Sequence, residues 1–317
     1  MASLLERTWW HAQGWHRVRL LVCLFALCGV MSASVAAPAG QKSYASPQAA
    51  VAGLLDAVKS NKQAKLGAIL GASGNRLIRS GDAVADAQGR ASFVKAYGEA
   101  NRLMFEGDAK AVLIIGKDSW PFPIPLVKDA DSWRFDTQQG EQEILDRRIG
   151  RNELAAIQVC LAIVDAEREY AASHLDSDGV PEYAARIVST TGKHDGLYWP
   201  DKADEPQSPL GPLIAAAASE GYPPALSPYH GYFYRILTAQ GEDAPGGEYA
   251  YFIKGKMIGG FAVIAYPARY GASGIKTFMV DHDGAVFEKD LGNDTGALAP
   301  KAVKYNPDPS WQRVSLP

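Results

Sequence analysis

Val51, Leu54, Leu55 and Val58 recur at intervals of three and four, the spacing of one face of a helix. Ser46-Pro47 stands just before them, a capping residue followed by proline, and predicts where that helix begins. Shorter apolar groups predict a second helix over Leu66–Leu70 and a third over Ala91–Ala100. The pattern then changes. Ala111–Ile115 is a compact apolar run, prolines extend Phe122–Val127, and Trp133–Phe135 follows the turn Asp129-Ala130-Asp131-Ser132. Helices first and antiparallel strands after them predict an α+β unit.

The longest helix is predicted from Asn152 to about Ser173. Asn152 can cap it, Glu153 suits its positive end, and Leu154, Ile157, Leu161 and Val164 form a stripe widened by Ile163 and Tyr170. Cys160 lies among these apolar positions and reads as a buried, inert thiol. Between Ser173 and Tyr229 the chain is rich in Gly, Pro and Asp, with one helix at Leu213–Ser219. An irregular stretch of this length inside a compact unit points to function. The tail predicts a second antiparallel sheet, a meander over Tyr232–Thr238, Tyr249–Ile253, Phe261–Tyr266, Lys276–Asp281 and Ala285–Lys289, with His282-Asp283-Gly284 as a hairpin turn. The expected organisation is a leader over 1–36, an N-terminal α+β domain over 37–150 and a C-terminal α+β domain over 151–317.

The leader reading rests on Arg7, Arg17 and Arg19 before the apolar run Leu20–Val30, then small residues through Ala36. That is the order of a secretory signal peptide, and the apolar core is short of the roughly 20 residues that span a bilayer. Export to the periplasm with cleavage after Ala36 is therefore expected, with no stable membrane span afterwards. Removing three arginines and one glutamate makes a chain of net charge −3 more acidic, which disfavours nucleic acid and anionic lipid as partners. It also leaves Cys160 as the one cysteine, so no internal disulfide is expected.

Two stretches concentrate chemistry. Asp176-Ser177-Asp178-Gly179, with Glu182 beyond, places carboxylates as a calcium loop does, at loop positions three and five before a glycine. Position one is then His174 and position twelve Ala185, so the alternative is a solvated acidic turn. In Lys193-His194-Asp195-Gly196-Leu197-Tyr198-Trp199-Pro200, His194 and Asp195 offer a base and its orienter, while Tyr198 and Trp199 suit a sugar or peptide groove or a plug over the sheet. Nucleophile motifs are sparse: there is no Gly-x-Ser-x-Gly, Ser92-Phe93-Val94-Lys95 lacks its partner motifs, and Gly192-Lys193 has no phosphate loop. No His-x-x-x-His pair supports zinc; no cofactor is expected, with calcium at the acidic stretch as the one alternative.

Several blocks resemble the DUF2950 family of exported bacterial proteins: Trp133-Arg134-Phe135-Asp136, Arg147-Arg148-Ile149-Gly150-Arg151-Asn152-Glu153, Ser208-Pro209-Leu210-Gly211, Tyr229-His230-Gly231-Tyr232, Gly259-Gly260-Phe261-Ala262 and Lys289-Asp290-Leu291-Gly292. The family's name records no function. The order of elements in the first half is similar to NTF2- or cystatin-like folds. The second half, with Ala265-Tyr266-Pro267-Ala268 and Gly274-Ile275-Lys276-Thr277-Phe278, resembles a pseudopilin head in shape, although its long helix is internal. Two functional readings follow. One is a non-catalytic binding or interaction module for an envelope protein or polymer, with Tyr198, Trp199 and Tyr232 as contacts. The other is a hydrolase of an envelope polymer such as peptidoglycan, using His194, Asp195 and His230. A structural role in an envelope assembly is a third reading, and it predicts exposed apolar surface on the C-terminal meander.

Overall fold

The computed structural model describes residues 40–175, 178–223 and 228–315. The leader, Asp176 and Ser177 lie outside the described residues. The chain builds two hydrophobic cores, each with its own antiparallel sheet, and one long helix runs through both.

Four helices open the first half: α1 (Pro47–Lys59), α2 (Gln63–Leu70), α3 (Asn75–Ile78) and α4 (Ala83–Glu99). Ser46 caps α1 as its sequence predicts, accepting from the Ala49 amide, and Val51 and Leu54 are buried. The strands β1 (Asn101–Phe105), β2 (Lys110–Ile115), β3 (Trp120–Pro121), β4 (Leu126–Asp129) and β5 (Ser132–Phe135) form a sheet in the order β1-β2-β4-β5, with β3 also on β2. The third predicted helix begins at Ala83 rather than Ala91, because Asp82 caps it and its surface lies open, leaving no apolar stripe to read. Phe122–Val127 is not one strand: the chain breaks at Pro123-Ile124-Pro125 and pairs only from Leu126.

The long helix α5 covers Thr137–Ser173 and so starts fifteen residues before Asn152. Its first half buries only a few apolar side chains, Leu145 and Ile149 among them, and is anchored as well by polar side chains that hydrophobic periodicity does not register. Arg148 donates to the carbonyls of Arg76 (2.8 Å) and Leu77 (2.7 Å) in α3, and Arg76 pairs with Glu141. The second half follows the predicted stripe, burying Ile157, Cys160, Ile163 and Val164. Leu154 faces solvent instead.

Beyond α6 (Gly211–Ser219), the strands β6 (Tyr232–Leu237), β11 (Ala262–Pro267), β12 (Lys276–Asp281), β13 (Val286–Asp290) and β15 (Gln312–Arg313) form the second sheet, ordered β15-β13-β12-β11-β6. Short strands β7 (Ala239–Gln240), β8 (Tyr249–Ala250) and β14 (Lys304–Tyr305) make a flanking ladder, β9 (Phe252–Ile253) and β10 (Lys256–Met257) a hairpin, and α7 (Thr295–Leu298) precedes β14. The α+β class read from the pattern is the one observed. No described helix is long and apolar enough to cross a membrane.

One buried acid stands inside the second core. Glu167 of α5 is fully buried; one carboxylate oxygen accepts from the Ala184 amide at 2.9 Å and the other has no partner. Burial pushes its pKa well above the ordinary value, and the Ala184 amide offsets this only in part. The folded protein therefore holds this proton more tightly than the unfolded chain. The stabilisation is fully present below the ordinary glutamate pKa of 4.5 and is lost as pH rises toward the folded value. Urea unfolding of Glu167→Gln should accordingly gain on the parent protein as pH is raised from about 4 to about 8. Parallel pH curves for the two proteins would place the acid in a wetter site.

Candidate functional site

His194, Asp195 and Trp199 lie in a loop clasp between Ala184 and Pro206. The His194 ring stacks on Trp199 with centroids 4.2 Å apart, and its Nε2 lies 2.9 Å from Glu205 Oε2. Lys202 and then His194 hold the Glu205 carboxyl below its usual range. Asp195 turns elsewhere. Its oxygens accept from the Thr190 amide (2.7 Å) and hydroxyl (2.8 Å), with Arg186 at 3.7 Å. Slight burial pushes its pKa up, but the Thr190 bonds and Arg186 together outweigh that and lower it. Adjacent in sequence, the two side chains thus close different loop turns and do not form a base and orienter.

The remaining candidate, His230, belongs to a third setting. It adopts φ 48°, its ring packs against Tyr229 with centroids 4.0 Å apart and planes tilted by 37°, and Nε2 lies 3.6 Å from Glu220. Left-handed backbone costs a non-glycine residue on the order of 1–2 kcal/mol, and here it delivers the next amide to a buried acid. Gly231 N donates to Asp82 Oδ2 at 2.8 Å, and the Tyr222 hydroxyl donates to the same oxygen at 3.0 Å. Asp82 Oδ1 meanwhile caps α4 through the Ala85 amide. Among the described residues no hydrogen bond or ion pair joins His194, Asp195 and His230 to one another.

The aromatic candidates also separate. Trp199 is buried, donating from its indole to the Pro206 carbonyl, and Tyr170 donates its hydroxyl to the His194 carbonyl beneath it. Burial first, then Glu182, Glu167 and Asp195, raise the Tyr170 pKa to about 12. Tyr232 is wholly enclosed and donates to the Lys276 carbonyl. Tyr198 is half-buried, its backbone bridging to Val188. Tyr198, Trp199 and Tyr232 therefore do not line one groove.

Beside the acidic stretch, Leu175 bridges to Pro181 and the Glu182 amide donates to the His174 carbonyl at 2.8 Å. Asp178 and Glu182 are among the described residues, and Asp176 lies outside them. Among the described residues no three His, Cys, Asp or Glu side chains gather as metal ligands.

One of the sequence blocks ties the middle of α5 to the second sheet, and a neighbouring arginine reaches the first half. Asn152 donates to the Ser273 carbonyl, Glu153 Oε1 accepts from the Ile275 and Lys276 amides, and nearby Arg269 donates to the Arg79 carbonyl. A Cβ on Gly231 would stand 2.5 Å from Asn152 Nδ2, so only glycine fits there. Asp82, Tyr222 and Glu220 escape a sequence reading; the short Ser80-Gly81-Asp82 cap is the one local signal.

An α+β protein with two main sheets and one long helix, its His194 and His230 each paired with a separate glutamate, is the class that fold and site define. A family model described as "Protein of unknown function (DUF2950)" matches residues 41–314, and the chain belongs to that family. No curated protein and no solved structure matches it.

Proposed function

We propose that the protein is an exported, non-catalytic binding module of the cell envelope that meets a protein or polymer partner. The observation that supports this reading is exposed apolar side chains on the β9–β10 hairpin and on the neighbouring chain that is bonded to it. One group is Leu175 and Val180, on either side of the Leu175–Pro181 bridge; the other is Phe252 and Ile253 on the β9–β10 hairpin. They are tied together by the Tyr183 amide on the Met257 carbonyl at 2.8 Å. The β9–β10 turn takes φ 53° at Lys254 and 82° at Gly255, the tight hairpin geometry that holds its tip out. Exposed apolar side chains grouped on protruding loops mark interaction sites. Export follows from the leader pattern, and the dispersed histidines favour binding over hydrolysis.

The test is cosedimentation of the purified protein with isolated envelope fragments containing peptidoglycan. Wild type should be retained, and Phe252→Ser with Ile253→Ser should lower retention about fivefold at unchanged thermal stability, the size of effect expected when about 1 kcal/mol of apolar contact is lost. Equal retention of both proteins would overturn the reading.

A further inference from the structure

We propose that the chain forms a symmetric dimer by antiparallel pairing of β1 with β1 of a second copy. The two sheets treat their edges differently. In the first sheet, the β5 edge is sealed by the chain itself, through Tyr44 and Trp133 exchanging backbone bonds of 2.8 and 2.7 Å. In the second, the segment after α7 covers β6, with Thr238 bonding to Val303 and Arg235 to the Ala302 carbonyl. The β1 edge has no such cover among the described residues. It pairs with β2 over all five residues in unbroken register, without proline or bulge, and it exposes Met104 and Phe105. Unprotected edges of this kind are templates for another strand.

The ladder fixes what faces outward. Glu106 N donates to the Lys110 carbonyl and Gly116 N to the Ala100 carbonyl, so in antiparallel alternation Arg102 and Met104 turn their backbone groups to β2. Asn101, Leu103 and Phe105 turn theirs to the free edge. A two-fold axis at Leu103 then pairs all three, with Leu103 opposite its copy and Asn101 opposite Phe105.

The side chains decide for a second copy. Asn101, Leu103 and Phe105 share the face of Ile115, Leu113 and Ala111, which is the core face. A cavity of about 310 Å³ opens there, lined by Gln48, Val51, Tyr97, Asn101, Leu103 and Phe105 among others. Across the axis the partner's Phe105 lies beside Asn101, at the mouth of this cavity, and the exchange is reciprocal. On the other face Arg102 lies across from the partner's Met104 and diagonal to the partner's Glu106, whose carboxylate already holds its own Lys110 at 2.9 Å and would be shared with the incoming arginine. Leaning toward that glutamate carries each arginine away from the other. The strand is thus complementary to itself in shape and charge, as a two-fold interface requires.

Sedimentation velocity of the purified protein across about 1–100 µM should give twice the monomer mass at the upper end. Arg102→Glu should weaken the dimer about tenfold, and adding Glu106→Arg should restore it. In a Cys23→Ser, Cys28→Ser background, Leu103→Cys should form a disulfide-linked dimer on oxidation, because the paired Cα atoms sit about 5.5 Å apart. A monomer at every concentration overturns the proposal, whatever other chain then uses the edge. So does a dimer that ignores Arg102→Glu and stays unlinked on oxidation of the Leu103→Cys variant. Envelope retention is read separately and stands or falls without this result.

Discussion

Gly140→Ala is expected to destabilise the protein by about 3 kcal/mol or more, although alanine normally favours a helix over glycine by about 1 kcal/mol. Gly140 lies in α5 where the helix crosses the backbone before β4. A Cβ there would stand 2.2 Å from the Pro123 carbonyl oxygen, 2.4 Å from its carbon and 2.6 Å from the Ile124 nitrogen. None of these is a flexible side-chain end, so helix and strand must separate. Gly150 provides the internal control, since it lies in the same helix with nothing within 4 Å of its added Cβ. Gly150→Ala should therefore stabilise by about 0.5–1 kcal/mol. For a chain of this size each kcal/mol moves the midpoint by roughly 2–4 °C. Thermal scans should show a loss of about 10 °C for the first variant and a small gain for the second. Two shifts of the same sign would mean that α5 does not seat on Pro123.

Asp82→Ala should cost about 3–5 kcal/mol, the range for stripping one member from a buried charged network. Asp82 is 1% exposed and satisfies three donors from separate parts of the chain: the Ala85 amide, the Tyr222 hydroxyl and the Gly231 amide. Its loss removes the α4 cap and orphans the amide that the strained His230 backbone positions. Tyr222→Phe removes a single bond and should cost about 1 kcal/mol. Asp82→Asn should fall between them, because an amide NH₂ turned to Gly231 opposes another donor. Urea midpoints should be lowest for Asp82→Ala, higher for Asp82→Asn and highest for Tyr222→Phe. An Asp82→Ala effect no larger than that of Tyr222→Phe would remove Asp82 from the centre of this network.

What a sequence discloses follows from the range of the forces involved. Local signals are legible where they act alone: the Ser46-Pro47 start of α1, the Ile157–Val164 stripe and the long strands of the meander. The first half of α5 is hidden because Arg148 and Glu141 hold it by polar contacts to residues more than sixty positions away. Strand β1 is hidden because an edge strand with exposed flanks shows no run of buried positions. The pairing of His194 with Glu205 and of His230 with Glu220 spans eleven and ten residues across irregular chain, where no period carries information. Asp82 finds two of its partners 140 and 149 residues away, beyond any motif.

The most direct test of the central reading is incubation of the purified protein with peptidoglycan sacculi, followed by chromatography of the soluble fraction. If His194, Asp195 and His230 serve only to hold loops in place, the protein will sediment with envelope material and release no muropeptides above the buffer control. Release of muropeptides that disappears in His230→Ala or His194→Ala, in variants that remain folded, would contradict it and make the protein a hydrolase.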